Sequence, residues 1–296
     1  MKKLIYIFCI ILASINNLSA GAQGVIEVAP LFEYPVAPDE LESINDKCNY
    51  LVKNFWNNFN FKAKEPVDQY ALNEAFQVYV TTFQFASEKE VEQSVDKLIK
   101  NISGNKILML QFCKAAEENL YGPRADFWSD ELYLKFLDAV IKDKKVPESR
   151  KTKYKTQASA IRSSAVGQTA PIFWFVDKER ASKRYFPMST PTLLIFGNPA
   201  DTDWRLKRIR VESNFKLSEA LDKGRVNIIY IVPGNIEDWQ INTDNYNPHW
   251  TVGQSDEVLT LYDLRLQPSI FLVGSDGKII KKNLSIEDAV EELLNL

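Results

Sequence analysis

The chain is poor in the side chains that most often carry chemistry. It has three cysteines and one histidine, and none of the cysteines, Cys9, Cys48 and Cys113, lies beyond residue 113. Dithiol exchange needs one thiolate to attack and a second thiol to resolve the mixed disulfide, so the C-terminal half cannot perform it with its own residues. Zinc-type Cys/His spacing is absent as well. The lone histidine, His249, has no nucleophile and orienting group marked around it in sequence, which favours loop packing beside Trp250 over general-base work. There is no G-x-S-x-G elbow, P-loop, dinucleotide fingerprint or H-E-x-x-H pair, and neither a metal nor a cofactor is expected. Charge of one sign is also lacking. Lys and Arg number 36 against 39 Asp and Glu, without a long single-sign block, which makes nucleic acid a poor partner. No apolar run reaches the roughly 20 residues of a membrane-spanning helix.

What is present is a globular composition, 45% hydrophobic and 25% charged, long enough to bury a core without disulfides. Residues 1–22 read as a signal peptide: Lys2 and Lys3, an apolar run from Leu4 to Ala13, then Ala20-Gly21-Ala22 before Gln23. Export would place Cys48 and Cys113 where disulfides persist. Their spacing leaves two readings, separately buried free thiols or one possible disulfide stapling two helices.

Residues 23–165 read as an all-helical domain. A proline-dense opening (Pro30, Pro35, Pro38) gives way to Leu41, Ile44, Cys48, Leu51, Val52 and Phe55 at helical spacing. Further helices are expected over about 67–85, from Ser87 to near Gly104, over 107–120, from Ser129, and over 148–162. Their aromatics, Phe55, Trp56, Phe59, Phe61, Tyr79, Phe83, Phe85, Phe112, Trp128 and Phe136, are expected in the core rather than in a ligand groove. The segment Lys142–Lys155 holds seven basic and two acidic residues and reads as a solvated face or linker.

After Ala165 the texture turns to β. Thr192–Phe196 and Val226–Val232 are β-rich runs separated by helical sequence, which is a βαβ unit with parallel pairing. Ser269–Val273 and Lys278–Lys281 flank Gly274-Ser275-Asp276-Gly277, a hairpin signal, and Ser285 opens a closing helix. The fold class is therefore α+β in two domains, all-helical first, then a central mixed sheet flanked by helices.

Four features in order make residues 166–296 resemble the thioredoxin-like superfamily, in particular exported thiol-disulfide interchange proteins. They are Gly167-x-x-Ala170-Pro171-x-Phe173, Phe196-Gly197-Asn198-Pro199, Leu261-Tyr262-Asp263-Leu264 with Gln267-Pro268-Ser269, and Phe271-Leu272-Val273 with Asp276-Gly277-Lys278-Ile279. The helical part resembles a bacterial helical domain of unknown function found ahead of such domains. The resemblance implies a cis proline at Pro268 and puts the family's nucleophilic and resolving cysteines at Asp201 and Trp204. Both are replaced. Asp201 is expected to cap the following helix. The vestigial active-site face would then comprise Pro199, Asp201, Trp204, Gln267 and Pro268, with Trp204 and Gln267 exposed together. The expectation is a redox-inactive binding or scaffolding module of the cell envelope, periplasmic or envelope-associated, with a protein or peptide partner. The alternative is an enzyme: an oxidoreductase borrowing Cys48 or Cys113, or a hydrolase using Asp201 and Asp203.

Overall fold

The computed structural model describes residues 30–296. The apolar leader and its cleavage site lie outside the described residues. Residues 31–296 form one compact unit. Its first part is built of helices α1 (Ile44–Asn54), α2 (Gln69–Thr81), α3 (Glu88–Ile102), α4 (Lys106–Ala116), α5 (Asp130–Lys142) and α6 (Glu148–Ser163). Their starts are written in short polar side chains. Ser43, Asp68, Ser87, Asn105 and Ser129 each accept from backbone N–H groups in the first turn that would otherwise lack a partner.

The helices close on a continuous aromatic core. Trp56 lies 5.0 Å from Phe112 and 5.4 Å from Tyr79 between ring centroids, both edge-to-face. Phe55, Trp56, Phe59, Tyr79, Phe83, Phe112 and Phe136 are buried as expected, whereas Phe61 and Phe85 are half-buried and Trp128 is exposed, its indole N–H donating to the Gly122 carbonyl at 2.8 Å. The basic segment near the end of this part is less uniformly solvated than its composition suggests. Lys151 is buried with its ammonium 3.0 Å from Glu148. At the end of α4 the chain widens into one π turn, Glu117–Tyr121, closed by a 2.7 Å bond from the Gly122 N–H to the Glu117 carbonyl. That turn sets Tyr121 facing the second half of the molecule.

The second half is a seven-stranded mixed sheet of β1 (Phe173–Asp177), β2 (Ser182–Tyr185), β3 (Thr192–Phe196), β4 (Asn227–Pro233), β5 (Thr251–Ser255), β6 (Ser269–Val273) and β7 (Ile279–Lys282). The strand order is β2-β1-β5-β4-β3-β6-β7. β4 pairs in parallel with both β3 and β5, and the other pairings are antiparallel. Helices α7 (Thr202–Glu212), α8 (Phe215–Asp222) and α11 (Ile286–Leu294), with short α9 (Trp239–Asn242) and α10 (Val258–Leu261), complete it. β3 is buried along its whole length because apolar clusters cover both faces.

The β1–β2 hairpin and β5 were not expected from sequence. β2 reads Ser-Lys-Arg-Tyr and is exposed except at Tyr185, so it lacks an apolar run. β5 carries Gly253, which is there for space: a Cβ would sit 2.3 Å from Phe175 Cδ2. Both strands are recruited by the sheet rather than by their own propensity.

Candidate functional site

β3 ends at Phe196, and a short loop leads into α7. The Gly197 N–H donates to the Ile231 carbonyl at 3.2 Å, which ties the loop to β4. Asn198 Oδ1 accepts from the Ala200 N–H at 2.9 Å and forms an Asx turn. Asp201 then caps α7, its carboxylate accepting the Trp204 N–H at 2.8 Å. Asp203 is spoken for by Lys207, 2.7 Å away on the helix surface. The two carboxylates therefore serve a cap and an ion pair near the positive end of the helix.

Trp204 is not on the surface. It is 1% exposed, and its ring stacks on Tyr230 at 5.2 Å with 10° between planes. Its indole N–H donates to the Tyr246 hydroxyl at 2.8 Å. Arg208, one turn on, lies 4.3 Å from the centre of the Tyr246 ring and pairs with Glu212 at 2.7 Å. The position where the resemblance places a resolving cysteine is a piece of core. The expectation that Trp204 and Gln267 share an exposed face is therefore corrected. An indole placed beside a sheet that already carries Tyr230 gains more from burial than from exposure.

The remaining members of the expected face divide by exposure. Pro199 is buried, Asp201 and Gln267 are exposed, and Pro268 is half-buried. The Gln267–Pro268 peptide is cis. Pro268 packs against the end of β3, where Gly197 leaves room for it. A Cβ at Gly197 would meet Pro268 Cβ at 3.2 Å and the Tyr230 hydroxyl at 3.3 Å. That hydroxyl is buried and has no hydrogen-bond partner among the described residues. Burial, then the neighbouring Tyr246 and Asp201, push its pKa far up, so it stays neutral.

His249 is exposed, 3.0 Å from Asp222, and it is Trp250 that packs inside. Cys48 and Cys113 are both buried and free, and the disulfide alternative is not formed. Burial raises both thiol pKa values. For Cys113 nearby Glu117 adds to the rise and Lys153 offsets part of it. Neither thiol is poised as a nucleophile. Among the described residues no group of three or more His, Cys, Asp and Glu could hold a metal, and no helix is long and apolar enough to cross a membrane.

The strongest electrostatic feature lies just ahead of the cis proline and was missed in sequence. Asp263 and Arg265 have 0% and 1% exposed side chains and pair with each other. Asp263 also accepts from the Tyr121 hydroxyl at 2.7 Å and from Lys282 at 2.9 Å. Asp130, at the start of α5, pairs with Arg265 and, at 2.6 Å, with Lys282. The Arg265 guanidinium lies 4.0 Å from the centre of the Tyr121 ring. Backbone bonds extend the seam. The Asp263 N–H donates to Ser164 Oγ at 2.9 Å, and Ser163 Oγ donates to the Leu261 carbonyl at 2.6 Å. Burial pushes the Asp263 carboxyl up, yet the bonds and charges of Arg265, Lys282 and Tyr121 together hold it below its ordinary value. Helices and sheet are thus joined by a buried ionic knot at the foot of the cis-proline loop. Charged residues inside the apolar stretch Leu261–Leu266 were its only trace in sequence. Their helical partners, Tyr121 and Asp130, lie more than a hundred residues away.

Comparison with known proteins places both halves. A family model described as Domain of unknown function (DUF5106) matches residues 13–164. A crystal structure of a thioredoxin-like protein from Bacteroides caccae superposes with a TM-score of 0.69 at 18% identity. It covers 90% of this chain and 99% of its own. That likeness establishes a thioredoxin-like fold behind the helical region. A conserved protein of unknown function from Bacteroides fragilis is 24% identical over 44% of this chain and 99% of its own, with a TM-score of 0.41. The thioredoxin domain of a thiol-disulfide oxidoreductase from Bacteroides vulgatus is 22% identical over 44% and 96%, with a TM-score of 0.39. No curated protein matches the chain significantly.

Proposed function

Since this chain belongs to the DUF5106 family and carries a thioredoxin-like half behind that domain, we propose that it is a non-enzymatic binding or scaffolding protein of the cell envelope. The observation that carries this reading is the fate of the two cysteine positions. Asp201 is used as a helix cap, and Trp204 is buried against Tyr230 and Tyr246. A fold that retained disulfide exchange would keep an exposed thiol at the start of α7. Here the chain has none in this half, and its two described thiols are buried in the helices.

Export is supported by the basic, apolar and small-residue order of residues 1–22. A partner would meet the exposed Gln267 beside half-buried Pro268, with Asp201 at the loop opposite in the resemblance. A protein or peptide is the chemistry this fits, because the site offers backbone and an amide rather than a charged or metal-binding pocket. The test is a crosslinking pull-down from cell envelopes, using mature protein from Gln23 onward and its Gln267→Arg variant. A partner captured by the first and lost by the second supports the reading. A partner captured equally by both removes the cis-proline loop from it. Disulfide reductase activity in the wild-type chain overturns it.

A further inference from the structure

On the helical half, away from the ionic knot, three clefts adjoin. The first, of 330 Å³, is lined by Lys53, Lys62 and Lys97 with Asn57 and half-buried Phe61. The second, of 610 Å³, shares Lys62 and adds Lys64, Lys106 and Lys145 around the start of α4. The third, of 400 Å³, shares Lys106 and adds Arg150. The run of clefts therefore presents seven cations, and no carboxylate lines any of the three. This happens in a chain whose formal charge is −3.

Elsewhere on the surface, paired cations such as Lys135–Asp96, Lys153–Glu117 and Lys207–Asp203 are interspersed among unpaired ones. None of the seven has an acidic partner among the described residues. Lys97 donates to Asn57 Oδ1 at 3.0 Å and Lys145 to the Gly104 carbonyl, which fixes their positions without neutralising them. The nearest carboxylates in sequence are Glu65, Asp96, Asp143 and Glu148, none of which lines the clefts, and Asp96 pairs with Lys135 and Glu148 with Lys151 and Lys155. Asp143 is engaged with the Lys145 N–H at 2.7 Å.

We propose that this trench binds an extended acidic peptide segment of a partner protein. Unpaired lysines along adjoining clefts supply the complementary charge. The third cleft supplies the apolar requirement, because Pro66, Ile107, Leu110 and Pro147 form most of its wall. A peptide of acidic residues with an interspersed apolar side chain satisfies both. Nucleic acid is less well served, since of the two rings on these walls Trp56 is buried and Phe61 half-buried. A membrane surface is less well served too, because the apolar groups sit within a cleft and do not protrude. Two of the cations, Lys145 and Arg150, come from the segment whose composition reads as a solvated linker. The proposal is independent of the cis-proline loop.

The experiment measures fluorescence anisotropy of a dye-labelled ten-residue peptide, two repeats of Glu-Glu-Leu-Glu-Glu, with the full mature chain at low salt. Parallel arms use phosphatidylglycerol vesicles and a ten-nucleotide single-stranded DNA. Binding of the peptide is expected to weaken at least tenfold in Lys62→Glu/Lys106→Glu/Lys145→Glu, and to fall steeply with salt. The milder triple alanine variant should lose about threefold, and the control Arg210→Glu/Lys216→Glu/Arg225→Glu, equal in charge change to the triple glutamate variant, should show neither loss. All six positions are exposed, so unchanged thermal midpoints are expected throughout. Undetectable peptide binding at millimolar concentration, equal loss in the control, or tighter binding of vesicles or DNA would each overturn the proposal.

Discussion

Replacing Asp263 by alanine should be one of the most damaging single changes in this protein. The carboxylate is fully buried and accepts from Arg265, Lys282 and Tyr121. Its removal leaves Arg265, itself 1% exposed, with Asp130 as its remaining counter-charge. Breaking a buried ion pair from one side costs about 3–5 kcal/mol, because the stranded charge cannot regain water. Asp130 tempers that penalty, while the orphaned Tyr121 hydroxyl adds to it, so the expected loss stays within the same range. The assay is urea unfolding of the mature chain, with Asp263→Leu/Arg265→Met as the companion. The double variant removes both charges and leaves Lys282 and Asp130 paired at 2.6 Å, so it should lose less than the single one. A single variant costing under about 1 kcal/mol, well below the range for a broken buried pair, would refute the knot as a structural joint. So would a double variant worse than the single.

The same knot sets an acid limit. Asp263 has its folded pKa below the ordinary carboxylate value, so its stabilising share is complete above about pH 4 and is lost as pH falls through the lower folded pKa. Acid unfolding followed by tryptophan fluorescence should show this loss in the wild type and not in Asp263→Leu/Arg265→Met. Gly253→Ala should lower stability by about 1–3 kcal/mol through overpacking, since its Cβ would also stand 2.9 Å from the Val176 carbonyl oxygen. Asp201→Ala should cost about 1 kcal/mol as a lost cap, and Trp204→Ala about 3–5 kcal/mol as a lost core ring. Equal small effects in denaturant would return Trp204 to the surface.

The helices and the central strands were legible because they follow simple rules. Polar caps at Ser87 and Ser129 mark helix starts, and the continuous apolar run at Thr192–Phe196 marks a strand buried on both faces. The cis-proline segment was legible from its neighbours Leu261–Ser269. What stayed hidden depends on distance in sequence. β2 and β5 have too little apolar character to announce themselves, and exist because β1 and β4 offer open edges. The burial of Trp204 depends on Tyr230 and Tyr246, which periodicity within α7 alone does not reveal. The cationic trench draws on five separate segments between Lys53 and Arg150, each of ordinary composition. The ionic knot needs residues 121, 130, 263, 265 and 282 to meet.

The central claim is that a thioredoxin-like fold is here used without thiol chemistry. It is tested most directly by measuring disulfide exchange and thiol reactivity on the same sample of mature protein. With both thiols buried and their pKa values raised, the native chain should neither reduce a protein disulfide nor react with an aromatic disulfide reagent. Unfolding in denaturant should then release two thiols. Native reductase activity that disappears in Cys48→Ser or Cys113→Ser would contradict the account, and would make the helical half the bearer of the chemistry.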